Sequence, residues 1–267
     1  MPLVDYPKLF LTADNFRNNG QVDEAIKYYL EIATLATQPA ELEQKARALH
    51  MAGVSAKENV ASADSAYYRD AINFYSQAEI AFKNLGDKGG LGSLYRDWAI
   101  INDYAGRTSE ARDWFQKSIG VFKTIDDPAG LGITYDKFGL HFAKLGDLVA
   151  AENYINQALK LLRQEANAGF FTATTLFDLA RVKFKQQQFE IAVDLAEESL
   201  SWFAADHGER QYVRRLAQLN GFLSLAYYEI AETKKAQTAA GTYKKLLKML
   251  DPQAAKVLEK DLEELAK

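Results

Sequence analysis

Cysteine is absent from this chain of 267 residues. That excludes disulfides and thiolate metal sites, and it is compatible with the cytoplasm, the expected location. Only five prolines interrupt the chain, and alternating Val, Ile and Thr are scarce, which disfavours β-sheet. No excess of basic charge exists: the formal net charge is −4, which argues against a nucleic-acid partner, since neutralising phosphates needs concentrated Lys and Arg. No run of about 18 uncharged apolar residues is present, so no membrane insertion is expected. The opening "MPLVDYPKLFLTADNF" has no basic segment leading into an apolar run, so a signal peptide is not expected.

Catalytic signatures are also missing. The three histidines, His50, His141 and His207, are too far apart in sequence to form a helical metal pair. No Gly-x-Ser-x-Gly elbow occurs. The Asp126–Asp127 pair reads as turn chemistry rather than as a catalytic dyad. No metal, no cofactor and no catalytic residue is expected. Arg210, Arg214 and Arg215 form the densest basic cluster, and read as a solvated helix face.

Composition favours helix: 48% of residues are hydrophobic and 25% charged, with abundant Ala, Leu, Glu, Lys and Gln. A repeat organises them. Ala71, Ala111, Ala151 and Ala192 follow one another at intervals of 40, 40 and 41 residues. Ala25 and Ala236 extend the series at looser intervals of 46 and 44, making six units.

Each unit has the same internal order. A turn precedes the key alanine by five residues: Gly20, Gly106 and Gly146, with Gln187 and Ala231 at the same place in two later units. Glycine there can take the left-handed conformation that stops a helix. Seven residues earlier stands a small residue: Ala13, Ala99, Gly139, Ala180 or Ser224. Four after the key alanine comes a larger group, Tyr29, Tyr75, Phe115 or Ile155. Three further on comes a small one, Ala78, Ser118, Ala158 or Ser199. Spacings of four and seven place these residues on one helix face, and small against large lets two antiparallel helices approach closely. The stretches "KNLGDKGGLG" and "KTIDDPAGLG", forty residues apart, read as the same glycine-rich connector between successive units. Neither ends in the Gly-Lys-Ser/Thr of a phosphate loop. Repeating aromatics such as Phe82, Tyr95, Phe122, Tyr135 and Phe138 read as core, and Trp98, Trp114 and Trp202 as packing between units.

This pattern of small residue, turn glycine, alanine and aromatic resembles the tetratricopeptide repeat, in its longer, roughly forty-residue form. The resemblance is clearest over residues 91–200. It implies an all-α, right-handed superhelical solenoid of stacked antiparallel helix pairs. Residues 1–250 would form about six pairs and 251–267 a capping helix, with Asp251 as N-cap and Pro252 at the first helical position. First helices line the concave side of such arrays. The resemblance therefore assigns a partner groove to Arg47, His50, Arg96, Ile100, Asp103, Asp136, Leu140, Phe177, Arg181 and Phe184. It implies a non-enzymatic adaptor or scaffold binding a protein, either an extended peptide or a partner helix. Two alternatives stand beside it: a regulatory sensor of a short signalling peptide, and an adaptor like the vesicle-fusion attachment proteins. The carboxylate clamp that some such repeats use to hold chaperone tails is not expected. Phe10 and Asp14 occupy its places in the first unit, and Asp14 would repel a carboxylate.

Overall fold

A computed structural model describes residues 4–57, 59–60, 62–205, 212–250 and 252–265. His207, Arg210 and Asp251 lie outside the described residues. Among the described residues there are thirteen α-helices and no strand. Twelve form successive pairs: α1 (Tyr6–Asn18) with α2 (Val22–Leu35), α3 (Leu42–Lys57) with α4 (Ala66–Leu85), and α5 (Lys88–Tyr104) with α6 (Thr108–Thr124). Then follow α7 (Pro128–Lys144) with α8 (Leu148–Leu162), α9 (Gly169–Lys185) with α10 (Phe189–Ala205), and α11 (Val213–Glu229) with α12 (Thr233–Leu247). The last helix, α13 (Pro252–Leu265), packs on α11. Two compact units divide the chain, Met1–Thr134 and Tyr135–Lys267.

The alternation of small and large residues does in space what it does in sequence. Ala25, Ala71, Ala111, Ala151 and Ala192 have no exposed surface, and neither do Ala13, Ala99 and Ala180 on the facing helices. Gly139 holds the same place in α7, where an added Cβ would lie 2.6 Å from Ile155. Tyr29, Tyr75, Phe115 and Ile155 fill the space beside them and are fully buried. Ser118 and Ser199 are also fully buried. Each donates a 2.7 Å hydrogen bond to a first-helix carbonyl, Gly92 O and Ala173 O respectively. A small polar residue there satisfies itself and ties the two helices together.

The turns within pairs are left-handed, as their glycines require, with φ of 75° at Gly20, 77° at Gly106 and 84° at Gly146. Gln187 and Ala231 adopt the same conformation without glycine, at φ 62° and 60°. For a side-chain-bearing residue this conformation costs about 1 kcal/mol or more.

The expected connectors are shorter than their glycines suggest. Only Gly86–Asp87 and Ile125–Asp127 separate the helices, with left-handed φ at Gly86 (68°) and Asp126 (53°). Asp87 and Asp127 cap the next helix, each accepting a 2.8 Å bond from the backbone N–H of Gly90 or Gly130. The remaining glycines lie inside the first turns of α5 and α7. A Cβ at Gly90 would come 2.4 Å from the Phe82 ring, and one at Gly130 would come 2.3 Å from the Phe122 ring. These glycines make room for an aromatic ring and are not there to break a helix.

Candidate functional site

Within unit 1 the first helices approach one another, α1 against α3 and α3 against α5, so their outward faces form one continuous surface. Near its start α1 and α3 enclose a cleft of about 360 Å³, whose lining includes Phe10, Leu11 and Asp14 from α1 and Glu43, Gln44 and Arg47 from α3. Leu11 is 63% exposed. The Arg47 guanidinium lies 4.4 Å from the centre of the Phe10 ring, a cation–π contact. Asp14 accepts a 2.5 Å hydrogen bond from the Tyr29 hydroxyl. Burial, with that bond adding, holds the Tyr29 phenol well above its usual range.

Farther along the same face is a charge cluster. Asp97, 9% exposed, receives Lys57 Nζ at 3.1 Å on Oδ1 and His50 Nε2 at 3.0 Å on Oδ2. Arg96 Nη2 stands 3.9 Å away. Burial works against ionising Asp97, but Lys57, His50 and Arg96 outweigh it and hold the carboxyl well below the usual carboxylate range. Because a carboxylate only accepts, the His50 nitrogen facing it carries a hydrogen.

Unit 2 repeats the theme. Lys137 Nζ lies 2.7 Å from Asp136 Oδ2 and 3.2 Å from Asp178 Oδ2. Burial opposes the charge on Lys137, yet the two carboxylates raise its affinity for the proton. Asp136 is displaced oppositely to Asp97: burial pushes its carboxyl up, and Asp178 adds to this against the pull of Lys137. Its Oδ1 is buried without a hydrogen-bond partner. Elsewhere in unit 2 a small pocket of about 40 Å³ is lined by Phe177 and Arg181 of α9, Gln218 and Phe222 of α11, and Asp261 and Leu262 of α13.

The ten residues expected to line a groove therefore divide. Arg47 is exposed and lines the unit 1 cleft. Arg181 is half-buried at the unit 2 pocket. Ile100 and Asp103 are half-buried on α5. His50 and Arg96 are drawn together around Asp97. Leu140 packs on the α8–α9 core, and Phe184 lies edge-on to Phe189 and Phe222. Asp136 and Phe177 do not face an open groove: they are 2% and 6% exposed. Asp136 is paired with Lys137, and Phe177 makes a T-shaped contact with Phe222. Of the basic cluster, Arg214 is exposed and Arg215 Nη1 donates to Gln218 Oε1 at 2.9 Å.

Sequence reasoning missed the pairs that organise these clusters, although a signal was present. Lys57, Asp97, Lys137 and Asp178 each stand fourteen residues before a key alanine, so they share one register and alternate in sign. Among the described residues no group of three or more His, Cys, Asp or Glu side chains could hold a metal ion. Among them, too, no helix is long and apolar enough to cross a membrane.

Comparison with known proteins bears on the fold. The family model for the tetratricopeptide repeat matches residues 130–205. Curated proteins give no match. Solved structures do. BtubC (BKLC) from P. vanneervenii is similar with a TM-score of 0.66 at 14% identity, covering 91% of each chain. A signal-transduction ATPase with a tetratricopeptide repeat sensor from Pyrococcus horikoshii gives 0.65 at 18% identity, covering 96% of this chain and 38% of that one. NprR in complex with its cognate peptide NprX gives 0.62 at 12% identity, covering 99% of this chain and 73% of that one. The architecture is an all-α helical-repeat solenoid.

Proposed function

On the footing that this chain is a tetratricopeptide-repeat protein, we propose that it acts as a non-enzymatic adaptor in the cytoplasm. It binds a peptide or helix of a partner protein along the first-helix face. The observation that carries this reading is the α1–α3 cleft. Its exposed Leu11, together with Glu43, which forms no ion pair among the described residues, is not used to hold the array together. Apolar surface beside an unmatched carboxylate suits a polypeptide segment, which needs burial for affinity and charge for orientation. A chaperone-tail carboxylate does not suit it, because Asp14 and Glu43 both line the cleft.

A regulatory sensor is the second reading. It is favoured by the likeness to a repeat sensor and to a structure solved with its cognate peptide. Scattering measured with and without the bound peptide separates the two, since a sensor changes its dimensions and an adaptor does not.

The proposal is tested by purifying the protein from its native cell under crosslinking and mapping the contacts. Crosslinks at Leu11, Glu43 or Arg47 support it. Crosslinks confined to the second-helix surface, where Ile80 and Val149 are 62% and 70% exposed, would overturn it.

A further inference from the structure

We infer that the α1–α3 cleft accepts a lysine or arginine side chain from the bound segment. This rests on the peptide-binding reading above and adds the chemistry of one contact. One wall is apolar, built from Phe10 and Leu11 with Tyr6 and Pro7, and fits the methylene stem of a long side chain. The other end is rich in acceptors. Glu43 is exposed and has neither hydrogen bond nor ion pair among the described residues, although Arg47 is one helical turn away. Gln44 Oε1 is buried with no donor, and Asp14, which accepts from the Tyr29 hydroxyl and lies 3.6 Å from Arg17 Nη2, also lines the cleft.

The single cation of the lining does not cancel this. Arg47 lies over the Phe10 ring and makes no ion pair with Glu43 among the described residues, so the Glu43 oxygens stay open to a donor. An apolar side chain entering here would bring no donor to the Gln44 carbonyl, which is already buried and unbonded. An acidic one would face two carboxylates. A basic head supplies the missing donor and the missing charge together, and the chain's net charge of −4 attracts basic segments from a distance.

The full-length protein is panned against a display library of random dodecapeptides, and enriched sequences are synthesised and measured by fluorescence anisotropy. The expected result is a lysine or arginine shared among the binders. Its replacement by norleucine, which keeps the stem and removes the charge, weakens binding about tenfold. Glu43→Gln and Gln44→Leu weaken the parent peptides about as much, leave the norleucine peptides unaffected, and do not lower the thermal midpoint. If binders emerge whose affinity ignores the norleucine exchange and both variants, the basic-side-chain inference is overturned and the peptide reading stands. If no binder emerges, the peptide reading fails and this inference fails with it.

Discussion

Lys57 and Asp97 lie forty residues apart in sequence, at the same register of successive repeats, with Nζ and Oδ1 3.1 Å apart. Lys137 and Asp178 restate the pair in unit 2 at 3.2 Å. Half-buried ion pairs of this kind contribute little net stability when intact, because desolvation offsets attraction, but they are costly to break. Lys57→Met is therefore expected to destabilise the protein by about 3 kcal/mol. The double variant Lys57→Met/Asp97→Leu should recover most of that loss. Urea denaturation of the four members of this cycle measures it; strictly additive losses would mean the two side chains are not coupled.

Two buried carboxylates whose titrations are displaced in opposite directions predict opposite pH behaviour. Asp97 is held below its unfolded value of about 3.9. Its unfolded form thus binds protons first on acidification, and its stabilising contribution is complete above that value and lost as pH falls below it. Asp136 is raised, so its contribution is complete below about 3.9 and lost as pH rises above it. The stability gap between parent and Asp97→Asn should close in acid, whereas Asp136→Asn should gain on the parent as pH rises. Thermal midpoints from pH 3 to 8 decide, and parallel curves would refute both assignments.

Glycines at two positions should respond with opposite sign. Gly120 is exposed in the middle of α6 with nothing within 4 Å of an added Cβ, so Gly120→Ala should stabilise by about 1 kcal/mol. Gly130 meets the Phe122 ring at 2.3 Å, and Gly130→Ala should destabilise by about 1–3 kcal/mol. Equal denaturation midpoints for the two variants would contradict the packing assigned to the connector.

Gln187 and Ala231 make left-handed turns without glycine. Replacing either by glycine relieves that strain and should raise stability by about 0.5–1 kcal/mol, since strain outweighs glycine's entropic cost there. A drop in urea midpoint on both changes would mean that the turns are not strained.

Two arginines of one chemical type should separate by experiment. Arg96 is 16% exposed beside Asp97, so Arg96→Ala should lower the thermal midpoint. Arg181 forms no hydrogen bond or ion pair among the described residues and lines an open pocket. Arg181→Ala should leave stability within about 0.5 kcal/mol while weakening partner binding by about 1–3 kcal/mol. Calorimetry of folding and of partner binding on both variants gives the answer, and a stability loss at Arg181 larger than at Arg96 would reverse the assignment.

What was legible in the sequence was whatever repeats with the same residue type. The zero exposure of Ala71, Ala111, Ala151 and Ala192 follows from one spacing rule, because close helix approach tolerates only small side chains. The helix starts were less legible. Gly90 and Gly130 read as connector because glycine usually ends helices, and only the rings of Phe82 and Phe122 show why they begin them. The charge cluster escaped because its register position keeps no residue type: lysine and aspartate alternate, and unit by unit each looks like ordinary surface charge. Asp136 was misplaced for a related reason. Its side chain is buried against Lys137, a contact that helical periodicity does not encode.

Solenoids grow and shrink by duplication or loss of whole modules. Sign alternation at the position of Lys57, Asp97, Lys137 and Asp178 sets a parity rule on that process. Excising the module that carries Asp97 would bring the lysine-bearing modules of Lys57 and Lys137 into succession, with two like charges competing for water in a half-dry site. Excising two consecutive modules would restore a lysine followed by an aspartate. Within this run of four modules, an internal one is thus removed without juxtaposing like charges only together with a neighbour.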